Sequence, residues 1–380
     1  MQIISKLPNV GTTIFTTMSA LARQHQAINL SQGFPDFNCH PHLVELANQF
    51  IQQGFNQYAP MPGTIELRER VAEIIQSTYN HIYHPDTDIT ITAGATQAIY
   101  TTMAAFIHPG DEVIVIEPAY DCYVPAIELH GGIAVYSQLN PNNFCINWQD
   151  VRSKITPKTK AILINSPHNP SGACITAQDL IELQNIITGT NILIISDEVY
   201  EHMVFDQQMH QSIARNKTLA QQAIIVSSFG KTIHTTGWKI GYVAAPAHIM
   251  AEFRKVHQFL VFAVNHPLQL AIAKFLENAD NYQGLHEFYQ QKRDRFLQLT
   301  KGSRLIPLQC QGTYFQLMSY KNISQQKDTE LAIEWTKEKK LAAIPLSVFY
   351  KNQIDNKILR FCFAKKDETL EKAADIIQRL

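Results

Sequence analysis

From about residue 89 onward the chain alternates short apolar runs with longer amphipathic stretches. The runs are Ile89–Ala93, Glu112–Glu117, Ala161–Asn165, Ile192–Ser196, Ala223–Ser227 and Gly241–Ala245. Their apolar residues fall on both alternating faces, the pattern of strands covered on each side by helices. Between them, Ala95–Phe106 and Thr176–Ile187 read as helices, the second with Thr176 placed to cap its first turn. Ahead of this region, Thr64–Ile75 sets Leu67, Val71, Ile74 and Ile75 on one side of a helix. Together the elements predict an α/β fold, a doubly wound, mostly parallel sheet sandwiched by helices.

The texture changes after residue 267. A long helical segment, about Pro267–Leu299, precedes Gly312–Leu317, a polar helix near Thr329–Lys339, and an apolar run at Ile358–Phe363. This reads as a smaller α+β unit. The expected division is an N-terminal arm and part of the small domain over 1–45, a large domain over 46–277, and a small C-terminal domain over 278–380.

Composition narrows the function classes. The 380 residues are too many for one small core. Hydrophobic residues make up 45% and charged residues 17%, as in an ordinary soluble enzyme. A net charge of −1 gives no attraction to nucleic acid or to an anionic membrane. No apolar run approaches a membrane span, and the first residues lack the apolar core of a signal peptide. The six cysteines are scattered without a CxxC pair, which points to reduced thiols and a cytoplasmic location. The nearest histidine pairs, His40/His42 and His81/His84, have no carboxylates or thiols at ligand spacing, so no metal site is expected.

In a doubly wound sheet, ligands bind beyond the C-terminal ends of the strands. Lys231 follows the run at 223–227 within Ser228-Phe229-Gly230-Lys231, with Lys239 eight residues on. Read alone, it fits either an amine that forms an imine with a phosphorylated aldehyde cofactor or a solvated lysine in a turn. Gly94-Ala95-Thr96 opens a helix, as a phosphate-binding terminus or merely a tight turn. Asn169, in a turn with two prolines and a glycine, fits a donor to a phenolate oxygen or a self-bonded loop residue. Asp197 fits a partner for a protonated pyridine nitrogen, with Tyr200 reaching the same ligand, or a solvated N-cap. Tyr120 fits a ring-stacking position or a packed loop aromatic. The coincidence of all five at one sheet edge favours the cofactor reading.

Taken together, these residues resemble the class I/II aminotransferases, the fold type I enzymes of pyridoxal 5′-phosphate (PLP), from Ser31-Gln32-Gly33-Phe34-Pro35 to Arg360-Phe361-Cys362-Phe363. The stretches 56–63, 117–123 and 228–242 are similar to those of methionine aminotransferases and kynurenine/glutamine transaminases. The resemblance implies Lys231 as the Schiff-base lysine and Asp197 as the carboxylate on the pyridine nitrogen. It implies Asn169 and Tyr200 on the ring oxygen and Tyr120 stacked on the ring. Ala95 and Thr96 through their N–H groups, with Ser228 and Lys239, are implied as the phosphate cradle. Tyr58 is implied as a residue lent to the neighbouring subunit of a homodimer with shared sites. Arg360 is implied to grip the substrate carboxylate, which suits a guanidinium's paired N–H groups. Gly33 and Phe34 lie beside it in this reading. Many relatives have arginine in place of Lys239 and serine in place of Gly230.

The expected activity is transfer of an amino group from an L-amino acid, methionine or aromatic, to a 2-oxo acid by a ping-pong mechanism. Two alternatives share the scaffold. One is a cysteine-conjugate or cystathionine β-lyase. The other is a PLP-sensing regulator, which needs a DNA-binding module; this chain is read as starting directly at the aminotransferase-like arm and offers no basic surface.

Overall fold

The computed structural model describes residues 3–380. All six apolar runs form strands of one sheet, with ends within two residues of those read from the sequence. The strands are β1 (Ile89–Thr92), β2 (Glu112–Glu117), β3 (Ile133–Gln138), β4 (Thr159–Asn165), β5 (Leu193–Asp197), β6 (Ala223–Ser228) and β7 (Gly241–Ala244). They lie in the order β1-β7-β6-β5-β4-β2-β3. Strand β7 runs antiparallel to both its neighbours, and the remaining pairs are parallel. Alternate residues of each strand feed two separate cores. Ile114, Ile162, Ile194 and Ile225 face one layer. Val113, Val115, Leu163, Ile195 and Val226 pack on the other, against Ile99 and Met103 of helix Ala95–Phe106 and Met250 and Phe253 of helix Ala247–Leu260.

Strand β3 was not expected from the apolar pattern, and its place in the sheet explains why. It pairs only with β2, at the edge, so Ile133 and Gln138 are exposed and only Ser137 is fully buried. An edge strand need not be apolar on both faces. The helices predicted at 64–75, 95–106 and 176–187 form, the first running on to Tyr79. Thr176 and Asp179 build a reciprocal capping box, with N–H to side-chain distances of 3.2 and 2.7 Å. The helix at 64–75 spans Ile65–Tyr79 and buries Leu67, Val71, Ile74 and Ile75.

A second, antiparallel sheet contains β8 (Ile306–Pro307), β9 (Phe315–Ser319), β10 (Ile344–Pro345) and β11 (Ile358–Cys362), in the order β10-β11-β9-β8. Near it, Ile28–Asn29 pairs in parallel with Leu341–Ala342, which ties an N-terminal segment to the C-terminal part of the chain. The single long helix expected over 267–299 is instead three: His266–Phe275, Asp280–Gln283 and Leu285–Thr300. Asparagine side chains break it. Asn281 Nδ2 donates to the Phe275 carbonyl at 2.7 Å, and Asn278 Oδ1 accepts from Asp280 N at 3.1 Å. Such local bonds compete with helical ones. The polar helix near 329–339 spans Asp328–Glu334 and continues as a π-helical turn, Trp335–Lys339. Among the described residues no helix is long and apolar enough to cross a membrane.

Candidate active site

The C-terminal ends of β1, β2, β4, β5 and β6 open onto one cavity of about 430 Å³. Because β7 is reversed, its start lies at the same edge: Gly241 sits opposite both Ser228 and Thr92. Lys239 therefore joins residues from the other strand ends. Of the thirteen residues singled out from the sequence, twelve line this cavity. They are Gly33, Phe34, Ala95, Thr96, Tyr120, Asn169, Asp197, Tyr200, Ser228, Lys231, Lys239 and Arg360.

The Lys231 amine donates to the Tyr314 hydroxyl at 2.6 Å and to the Gly33 carbonyl at 3.3 Å. The Tyr314 hydroxyl in turn donates to the Gly33 carbonyl at 2.6 Å. Burial lowers the Lys231 pKa to about 8, and the Lys239 and Arg360 cations push the same way. The amine is thus far closer to its neutral, nucleophilic form at pH 7 than a surface lysine.

Asp197, at the end of β5, is buried. Its carboxylate accepts from the Tyr123 hydroxyl at 2.6 Å and from Val199 N–H at 3.3 Å. Burial raises its pKa to about 6, and these two hydrogen bonds oppose the rise. A cation beside it would complete the compensation that a buried carboxylate requires.

Arg360, on β11, is only 1% exposed. Nη1 donates to Asn169 Oδ1 at 2.6 Å and Nη2 to the Ser31 carbonyl at 3.1 Å. Its guanidinium carbon lies 3.8 Å from the centre of the Phe315 ring. Burial lowers its pKa to about 10. Nε is buried without a hydrogen-bond partner among the described residues. An orphaned donor on a buried guanidinium is costly, so the site is built to receive an acceptor.

Backbone shape brings Lys239 and the start of helix Ala95–Phe106 together. Gly94 has φ +78°, and a Cβ there would lie 3.2 Å from Lys239 Nζ. A Cβ on Gly241 would lie 2.5 Å from the Ser227 carbonyl and 3.2 Å from Ala95 N. Glycine at both positions lets β7 and Lys239 approach the first N–H groups of helix Ala95–Phe106, where the helix dipole favours an anion. Three cations (Lys231, Lys239, Arg360) face two carboxylates (Asp121, Asp197) across the lining, a surplus of one positive charge that favours an anionic ligand. Among the described residues no group of histidine, cysteine or carboxylate side chains is arranged to hold a metal ion.

Tyr58 is the exception. It is 80% exposed and rests edge-on against Phe262, with ring centres 5.0 Å apart, outside the cavity. Sequence reasoning missed Tyr314, which bridges Lys231 and Gly33 from the bend just before β9. Tyr123, the last residue of the 117–123 stretch, was given no role there, and its hydroxyl is bonded to Asp197. Also missed were Thr13, Phe15 and Gln32, which reach the cavity from the N-terminal segment. Tyr314, Thr13 and Phe15 lie outside the motifs, and Gln32 and Tyr123 lie inside them without an assigned role. Each depends on which distant segments the fold brings together.

Comparison with known proteins agrees with this geometry. Residues 25–377 match the family described as aminotransferase class I and II. The methionine aminotransferase of Escherichia coli (strain K12) is 49% identical over 377 residues, covering 99% of this chain and 98% of that one. The kynurenine–oxoglutarate transaminase of Dictyostelium discoideum is 32% identical, with 97% and 94% covered. The crystal structure of Escherichia coli YbdL, whose reactivity identified a methionine aminotransferase function, superposes with a TM-score of 0.97 at 48% identity over 100% of both chains. That of N-succinyldiaminopimelate aminotransferase from Mycobacterium tuberculosis gives 0.95 at 35% identity, also over 100% of both. The chain belongs to the class I and II aminotransferases.

Proposed function

We propose that the enzyme moves the amino group of methionine or an aromatic amino acid to a 2-oxo acid by a ping-pong mechanism, with pyridoxal 5′-phosphate held in the cavity. The observation that carries this reading is the Lys231 amine, lowered to about 8, in one cavity with buried Asp197 and buried Arg360. When bound, the cofactor supplies an aldehyde that takes up the amino group and a ring that draws electrons from the substrate Cα. Lys231 would hold that aldehyde and would move the proton at the substrate Cα. Asp197, held in position by Tyr123 and Val199, would keep a proton on the ring nitrogen. Asn169 and Tyr200 would serve the ring oxygen and Tyr120 the ring itself. The Ala95 and Thr96 N–H groups, Ser228 and Lys239 would hold the phosphate. Arg360 would orient the substrate α-carboxylate with the Gly33 main-chain amide beside it, while Phe34 would border the substrate side chain.

The preference for neutral side chains follows from charge. All three cations of the lining are assigned to cofactor or α-carboxylate, which leaves none for a second substrate carboxylate. The remaining wall is largely aromatic, with Phe15, Phe34, Tyr120, Tyr123 and Phe315, and includes the acid Asp121. An unpaired carboxylate there carries a desolvation cost. Methionine and phenylalanine should therefore exceed aspartate in kcat/KM by about tenfold or more, measured as donors against one fixed 2-oxo acid. Equal or better use of aspartate contradicts this account of the wall. The β-lyase reading predicts homocysteine, pyruvate and ammonia from cystathionine and water as the main products, and the similarity to aminotransferases favours it less.

The same reading includes a homodimer, with Tyr58 reaching the neighbouring subunit's phosphate. The exposed apolar side chains Tyr58 (80%), Phe259 (87%) and Phe262 (55%) support it, since monomers rarely leave such clusters bare. Light scattering should give twice the 43.1 kDa chain mass; a stable monomer would remove Tyr58 from its proposed role. The division into domains at 1–45, 46–277 and 278–380 belongs to this reading and draws support from the two sheets. The six unpaired cysteines support a cytoplasmic location.

A further inference from the structure

Glu201 follows Tyr200 by one residue, yet its side chain leaves the cavity and lines a separate cleft with Tyr79, His202 and Tyr282. It is 5% exposed. Its carboxylate accepts three hydroxyl groups: Tyr79 at 2.5 Å, Ser227 at 2.6 Å and Tyr242 at 2.8 Å. Ser227 precedes Ser228. Tyr242 follows Gly241, whose close approach to Ala95 N shapes the helix start. Ser227 and Tyr242 are register partners in the β6–β7 pair, and both donate to Oε1. The β5–β6 ladder ends where Glu198 N–H donates to the Val226 carbonyl at 2.8 Å. Beyond that point, the Glu201–Ser227 bond ties the turn carrying Tyr200 to β6.

We propose that Glu201 is a positioning residue for the cofactor: its carboxylate fixes the spacing of Tyr200, Ser228 and the start of helix Ala95–Phe106 by gathering the residues beside them. This rests on the reading that pyridoxal 5′-phosphate occupies the cavity. A carboxylate is suited to the task because both oxygens accept only, so all three hydroxyls point inward. A glutamine keeps the volume but turns one oxygen into a donor, which sets it against one hydroxyl.

The test is equilibrium binding of pyridoxal 5′-phosphate to the apoenzyme, followed by dialysis, together with the thermal midpoint of the apoenzyme. Glu201→Gln is expected to raise the cofactor Kd about tenfold, the scale of losing a hydrogen bond to a charged group. Ser227→Ala and Tyr242→Phe should each raise it about threefold, and Glu201→Gln/Ser227→Ala should be no weaker than Glu201→Gln alone. The control is Asp328→Asn. Asp328 is an equally buried carboxylate that accepts from Ser347 N–H at 2.7 Å and Ser347 Oγ at 2.6 Å, outside the cavity lining. It should lower the thermal midpoint and leave the cofactor Kd unchanged. A Kd within twofold of wild type in Glu201→Gln overturns the proposal, as does an equal loss in Asp328→Asn, which would mark general loosening. Should Glu201→Gln not fold, unchanged Kd values in Ser227→Ala and Tyr242→Phe overturn it instead. Failure of the wild-type apoenzyme itself to bind the cofactor would overturn the underlying reading, an outcome separate from failure in the variants alone.

Discussion

Replacing Lys231 with alanine should lower the amino-transfer rate by a factor on the order of 10⁴, the upper range for a positioned acid–base group that also acts as nucleophile. The fold should survive. Among the described residues Lys231 makes hydrogen bonds only to Tyr314 and Gly33, and the 2.6 Å bond between those two does not need it. Unchanged circular dichroism with lost turnover is the expected pair of results; retained turnover would remove the lysine from its role. The pH dependence follows from the same group. With a pKa near 8, about a tenth of the amines are neutral at pH 7 and about nine-tenths at pH 9. Since the neutral amine attacks the aldehyde, the rate at which apoenzyme takes up the cofactor should rise about tenfold between those values and then level off. A rise continuing beyond pH 10 would mean that burial does not lower this amine.

Asp197→Asn should lower kcat for methionine by about 10²–10³-fold, the scale of removing one preorganised electrostatic partner. The amide oxygen can still accept from the Tyr123 hydroxyl, so the substitution should leave the fold intact while losing the charge that holds a proton on the ring nitrogen. The isolated Asp197 carboxyl has a pKa raised to about 6 by burial; a bound cationic ring should bring it back down. Cofactor affinity should fall together with kcat. A variant within tenfold of wild type in kcat would show that the ring nitrogen does not depend on this carboxylate.

Much of this was legible in the sequence, for definable reasons. Two-sided burial wrote itself into the apolar runs at β2, β4, β5 and β6, and the residues just after them became the cavity wall. The edge strand β3 escaped because one-neighbour pairing relaxes that pattern. The helix break near 276–279 escaped because it depends on Asn278 and Asn281 bonding locally rather than on glycine or proline. Within the site, most residues named from motifs line the cavity. What long-range contact decides was not read: the Tyr123–Asp197 bond, Tyr314, 83 residues beyond Lys231, and the Glu201 hub, which joins helix Ile65–Tyr79 to β6 and β7. Tyr58 was named by resemblance alone, and in a single chain it stands at the surface, outside the cavity.

The most direct test is to reduce the cofactor-loaded enzyme with borohydride, digest it and locate the attached cofactor by peptide mass spectrometry. The account predicts one modified position, Lys231, in the peptide that contains Ser228-Phe229-Gly230-Lys231. Attachment at Lys239 or elsewhere, or no covalent attachment at all, would contradict it.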